Sequence, residues 1–211
     1  MNLQNSSQEG AQRHQRLNEL FALVMRQQKL KETEQKELEE IFKFCQLMDY
    51  KKGSSKCKHC WGKGYIIETI DANKLEKPCF CVRKYYQKKG DPNQIYLNQY
   101  EFEIIENTIK YYKENNKLDK MIDPEAQEDI VQSDYRVVSQ DDTKVEIQFR
   151  MEKKEGTFAE GEEKSFINKP IQNKEGEKIG FINAAQRATD KIIIVGALVE
   201  KEHYEAASQE S

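Results

Sequence analysis

Four of the five cysteines, Cys57, Cys60, Cys79 and Cys81, fall within 25 consecutive positions, while Cys45 stands apart. In a reducing compartment such clustering reads as metal ligation before disulfides. Thiolate sulfurs at about 2.3 Å suit a tetrahedral zinc ion, and a C-x-x-C turn aims two sulfurs at one point. The spacing predicts one closed tetrathiolate site, with Cys57, Cys60, Cys79 and Cys81 as ligands and Zn2+ as the cofactor. The segment between Cys60 and Cys79 is long enough for a strand over Tyr65 to Ile70, a turn at Asp71 to Asn73 and a return strand. That hairpin brings Cys79 and Cys81 back beside the first pair. Gly62 and Gly64 permit φ values that other residues avoid, so backbone N–H groups can come close to the sulfurs. His59, between two ligands in a tight turn, reads as a solvent-facing side chain, and Cys45 as a core residue at an apolar helical position. Buried free thiols are the alternative reading of the cluster.

Cys57-x-x-Cys60-x-Gly62-x-Gly64 resembles the C-x-x-C-x-G-x-G element of the DnaJ-type cysteine-rich zinc domain, and the whole segment looks like a one-site zinc ribbon. The resemblance is confined to residues 56–84. Its second half departs from the family, with Cys79-Phe80-Cys81 in place of another C-x-x-C-x-G-x-G, and a J-domain's His-Pro-Asp tripeptide does not occur. The resemblance implies the metal and the hairpin, not the activity.

The same segment is a basic island. The whole chain carries a net charge of −3, yet residues 51–90 hold 11 Lys+Arg against 3 Asp+Glu, and residues 91–211 hold 16 against 26. With four thiolates and a divalent ion counted, the island stays at about +6. Cations neutralise phosphates with release of counterions, and exposed aromatic faces stack on unpaired bases. Lys58, Lys63, Arg83, Lys84, Lys88, Lys89, Trp61 and Tyr85 are the candidate nucleic-acid contacts. The competing reading has these lysines keep the module soluble, pair with the acidic remainder of the chain or meet a protein partner. Trp61 and Phe80 then form the hairpin's own miniature core.

Catalysis finds few candidates. Catalytic zinc keeps one position open for water, whereas four cysteines close the shell. A nucleobase deaminase needs H-x-E followed by P-C-x-x-C; after Pro78-Cys79 the next cysteine comes two residues on, and no H-x-E precedes it. Only His14, His59 and His203 could supply imidazole chemistry, and no P-loop or dinucleotide fingerprint occurs. No small-molecule substrate is evident, and we expect no enzyme. No stretch approaches the ~20 apolar residues of a membrane span, and Met1 to Gly10 contains no signal-type apolar run. The expectation is a soluble chain without membrane contact, cytoplasmic or otherwise intracellular.

Apolar residues make up 37% of the chain and charged residues 34%, a balance that favours small cores joined by solvated segments. Leu17, Leu20, Phe21 and Val24, then Leu38, Ile41, Phe42 and Cys45, recur at i, i+3, i+4, i+7, the spacing of two amphipathic helices. Thr33 with Glu34 and Glu37 is an acceptable start for the second. Asp91-Pro92 and Asp123-Pro124 read as helix starts, for helices fading near Asn115-Asn116 and Gln132. Val145, Ile147, Phe149 and Met151 alternate with polar residues, as in a half-buried strand, and further strands are expected at Tyr135 to Ser139, Lys164 to Ile167, Ile179 to Asn183 and Lys191 to Glu200. The predicted fold is α+β. It comprises a disordered tail (1–10), a helical hairpin (11–50), a zinc-stapled β-hairpin module (51–90), connecting helices (91–133), a small antiparallel β unit (134–200) and a second tail (201–211). The function expected of such a chain is that of a non-enzymatic adaptor or assembly protein docking on a protein partner through its helical and β parts. The alternative is a nucleic-acid-binding accessory protein, similar to small ones encoded by phages, that uses the basic hairpin.

Overall fold

In the computed structural model, which describes residues 3–70, 73–122 and 129–207, the N-terminal periodicity becomes two helices, α1 (Leu3–Met25) and α2 (Glu32–Phe42). Leu17, Leu20, Leu38 and Ile41 are buried. Arg16 of α1 grips Glu37 of α2 with two nitrogens, at 3.0 and 2.9 Å. The Lys31 N–H donates to the Glu34 carboxylate at 2.9 Å, so α2 starts ahead of Thr33. The expected tail over 1–10 is helical from Leu3. Its packing gives the reason: a Cβ on Gly10 would come within 2.1 Å of the Pro92 carbonyl oxygen, so this turn of α1 lies directly against the chain.

The protein folds as two compact units, Met1–Lys110 and Tyr111–Ser211. In the first, β1 (Cys45–Leu47) follows α2, then a short 3-10 turn (Tyr50–Lys52), the hairpin strands β2 (Tyr65–Ile70) and β3 (Asn73–Pro78), α3 (Phe80–Lys89) and β4 (Ile95–Leu97). Cys45 belongs to β1 and not to the second helix. Its backbone pairs in parallel with Ile95, and the flanking bonds Ile95 N–H to Phe44 O (2.8 Å) and Met48 N–H to Leu97 O (2.9 Å) compete successfully with another helical turn. Asp91-Pro92 is a turn, with Asp91 Oδ1 accepting from the Asn93 N–H at 2.9 Å. The long helix α4 (Gln99–Met121) instead begins behind Asn98, whose side chain accepts from the Glu101 N–H while Glu101 accepts from the Asn98 N–H, at 2.9 and 3.0 Å. This reciprocal capping box satisfies two otherwise unpaired donors. The helix passes Asn115-Asn116 because Leu118 and Met121 are core residues of the second unit.

The second unit is a five-stranded antiparallel sheet in the order β5 (Ile130–Gln140), β6 (Lys144–Lys153), β9 (Ile192–Glu200), β8 (Lys178–Arg187), β7 (Pro170–Gln172). Val145, Ile147, Phe149 and Met151 of β6 face Val199, Ala197, Val195 and Ile193 of β9, and all eight are buried. Of the second expected connecting helix, Asp123 to Glu128 lie outside the described residues, and Ile130 to Gln132 open β5. The strand expected at Lys164 to Ile167 is a 3-10 turn (Glu162–Phe166) entered through left-handed Gly161, which turns Phe166 into the core. β7 was not foreseen; its proline is tolerated because the strand lies at the sheet edge. The tail expected from residue 201 begins as a helix, α5 (Lys201–Ala206), whose Tyr204 packs on the core. Among the described residues no helix is long and apolar enough to cross a membrane.

Candidate metal centre

The centre is assembled by three short pieces of chain. In the first, Asp49 Oδ1 accepts from the Lys51 N–H at 2.9 Å, the Gly53 N–H reaches the Tyr50 carbonyl at 3.1 Å, and the Cys57 N–H reaches Ser54 O at 3.0 Å. A Cβ on Gly53 would stand 2.8 Å from Val82 Cγ2 and 3.1 Å from Cys81 Sγ, so this loop runs close to the sulfurs only because it lacks a side chain. The second piece is the turn from Cys60 to Lys63, closed by the Lys63 N–H on the Cys60 carbonyl at 2.9 Å. Its two central residues, Trp61 and Gly62, have φ of +52° and +81°. Gly64 follows at φ +82°, where a Cβ would lie 1.9 Å from the Tyr50 carbonyl oxygen. Glycine is required there on both counts. The third piece is the hairpin, with Tyr65 opposite Pro78 and Glu68 opposite Leu75, and its ladder is extended by the Cys79 N–H on Gly64 O at 2.8 Å. That register returns the chain to Cys79, and Cys81 sits in the first turn of α3.

The four sulfurs converge. Cys57 Sγ lies 3.7 Å from Cys79 Sγ, Cys60 Sγ lies 3.7 Å from Cys81 Sγ, and all four are within 4.8 Å of one another. A tetrahedron with a metal–sulfur distance of about 2.3 Å has edges of about 3.8 Å. A disulfide would need sulfurs about 2.05 Å apart. The donor set therefore fits a metal ion and does not fit covalent pairing. Cys60 and Cys79 are buried, while Cys57 and Cys81 are half-buried.

Protons hold this cluster unevenly. Backbone N–H donation from Cys60 and His59 brings the Cys57 thiol down to about 6. Burial, reinforced by the neighbouring sulfurs, pushes Cys81 up to about 12 against a bond from the Ser54 backbone. Burial also raises Cys79. Cys57 is thus the thiol most ready to ionise, and Cys79 and Cys81 would need a cation to displace their protons. Cys45 is separate: burial pushes it up to about 12, and its thiol donates to the Ile41 carbonyl at 3.7 Å.

No family model, curated protein or solved structure matches this chain. The four-sulfur cluster stands on its own geometry. His59 is exposed and outside the cluster. Lys58, Lys63, Arg83, Lys84, Lys88 and Lys89 are all exposed, and among the described residues none of them ion-pairs with a carboxylate, whereas Lys77 is tied to Glu68 across the hairpin. Trp61 is 81% exposed and Phe80 66% exposed, so they do not form a miniature core. Tyr85 is half-buried, edge-on to Tyr86 with ring centroids 5.3 Å apart. Phe80 is missing from the contacts predicted by sequence, although its position carried a signal: a residue between two ligands must point away from what they bind. A cleft of about 600 Å3 in the same unit, lined by His14, Asn18, Arg83 and Glu101 among others, contains none of the four thiols.

Proposed function

We propose that this chain is a non-enzymatic, zinc-containing adaptor or assembly protein, in which one Zn2+ on Cys57, Cys60, Cys79 and Cys81 fixes a hairpin as a binding surface. The observation that carries the reading is the pair of 3.7 Å sulfur separations in a set of four thiols. All-sulfur tetrahedral sites belong to zinc or iron, and a shell closed by protein ligands has no place for a reacting water. The separation of the thiols from the neighbouring cleft favours the same structural role. Left-handed Gly62 and Gly64 and the antiparallel return strand are in keeping with the DnaJ-type resemblance, although Cys79 and Cys81 open a helix in place of a second glycine knuckle.

A two-stranded hairpin alone is marginal in water, and this one leaves Ile66 and Ile67 exposed. It depends on the ion for its shape. Val131 and Val138, exposed on the edge strand β5, supply apolar surface suited to a protein partner. Unpaired thiols of this kind belong in a reducing, intracellular compartment. The test is elemental analysis of the purified full chain together with identification of what co-purifies. About one zinc per chain and a stoichiometric protein companion are expected; iron, or no metal at all, would overturn the zinc assignment.

A further inference from the structure

Trp61 occupies a backbone position at odds with its side chain. Turns with positive φ at both central residues are dominated by Gly, Asn and Asp, and a bulky residue there is an outlier. Burial does not compensate, since the ring is 81% exposed. Strain of this kind collects at positions that serve a ligand. A second ring, Phe80, is also exposed, and each is the chain neighbour of a ligand: Trp61 follows Cys60, and Phe80 precedes Cys81, with those two sulfurs 3.7 Å apart. Both rings are rooted on one knot of chain.

Within residues 51–67 and 78–90, the stretches of chain that carry the two rings, every charged side chain is a cation. Lys58 and Lys63 flank the Trp61 turn, Arg83 and Lys84 follow Phe80 on α3, and among the described residues none has a carboxylate partner. We infer that this surface binds single-stranded nucleic acid, Trp61 and Phe80 stacking on unpaired bases while Lys58, Lys63, Arg83 and Lys84 neutralise the adjoining phosphates. The inference rests on the reading that zinc fixes the hairpin. A duplex keeps its base faces stacked within itself, and an acidic polypeptide offers cations a partner but has few flat faces for two rings. A single strand supplies both, at a spacing tolerant of sequence.

The chain contains one tryptophan, so its fluorescence reports on this site alone. The zinc-loaded full chain is titrated with oligodeoxythymidine and oligouridine of equal length, with duplex DNA, with heparin and with polyglutamate, and zinc content is measured on the same samples. Quenching by the single strands is expected, with weaker response to the other three, and the tighter of the two oligonucleotides identifies DNA or RNA as the ligand. By anisotropy of a labelled oligonucleotide, Trp61→Gly and Phe80→Ala should each weaken binding roughly 5- to 150-fold while retaining zinc. Lys63→Ala and Lys84→Ala should each flatten the slope of log K against log salt by about 0.7. Zinc-loaded protein that ignores the single strands, binds heparin or polyglutamate equally well, or binds unchanged as Trp61→Gly would overturn this inference and leave the metal staple intact. Protein lacking zinc would overturn both.

Discussion

Trp61 and Gly64 share left-handed backbone, φ +52° and +82°, for different reasons. At Gly64 the Tyr50 carbonyl oxygen would stand 1.9 Å from an added Cβ. Gly64→Ala therefore combines left-handed strain, about 1–2 kcal/mol, with overpacking, about 1–3 kcal/mol, and should destabilise the first unit and weaken metal binding; denaturant melts and a competitive zinc titration check it. At Trp61 the space is open, so glycine removes the strain and adds only chain entropy of about 0.5–1 kcal/mol. Trp61→Gly should leave stability unchanged or raise it by up to about 1.5 kcal/mol, and a clear loss would show that the ring supports the fold. The thiols set a pH dependence. Cys57, near 6, is already ionised at neutral pH, while Cys81, near 12, and Cys79 hold protons that the ion must displace. Zinc affinity should fall as pH falls, more steeply below about 6 where Cys57 is protonated too, and the stability that the ion confers is lost in the same direction. Affinity flat between pH 8 and pH 5 would contradict this. The four-cysteine cluster and both glycines were legible because a shared site imposes residue type and spacing together. The conformation of Trp61 was not, since it follows from the closure of the Cys60 to Lys63 turn and from the fit of Gly64 against Tyr50.

Elements with a long internal period could be read directly from the chain. The apolar stripe of α1 and the alternation in β6 each repeat often enough to outvote local exceptions. Short pieces had no such repeat. β1, β4 and β7 are three residues each, β1 and β4 being held only by each other across a long stretch of chain, and the 3-10 turn over Glu162–Phe166 depends on left-handed Gly161. Asp91-Pro92 looked like a helix start because Asp and Pro also suit turns; the side chain that caps α4 is Asn98, whose signal, Glu101 three residues on, was present in the chain. α3 went unseen because its sequence was already claimed by the ligands at its start. Its docking is specific: Val82 is fully buried, the Tyr86 hydroxyl accepts from the Asp49 N–H at 2.9 Å, and the Tyr86 and Tyr96 rings lie 4.3 Å apart. These contacts do not involve the ion. Chelation should therefore abolish amide protection in β2 and β3 first and leave much of α3 protected, a contrast that hydrogen exchange by mass spectrometry resolves. Uniform loss across both would mean that the helix, too, is held by the metal.

The two units should draw on separate sources of stability. All five cysteines precede residue 82, so every thiol lies in the first unit. The second unit has a continuous apolar core, in which Tyr135, Ile147, Met151, Ile179 and Ile193 are fully buried, and each β6 core residue is registered against one of β9. Among the described residues, this core lies on one face of the five-stranded sheet, closed over by Phe158, Phe166 and the end of α4, and includes no cysteine, histidine or carboxylate. Replacing Cys60 by Ser removes a buried donor and leaves three sulfurs, a set unable to complete a thiolate tetrahedron. The first unit should then lose order across residues 56–79 while much of α3 and the sheet of the second unit persist. Calorimetry of the intact zinc-loaded chain should resolve two transitions, and Cys60→Ser or a chelator should lower one and leave the other where it was. Near-ultraviolet dichroism assigns them, because Trp61 reports on the first unit alone. A single transition that moves as a whole would mean the units unfold as one, and the ion would then support the entire molecule.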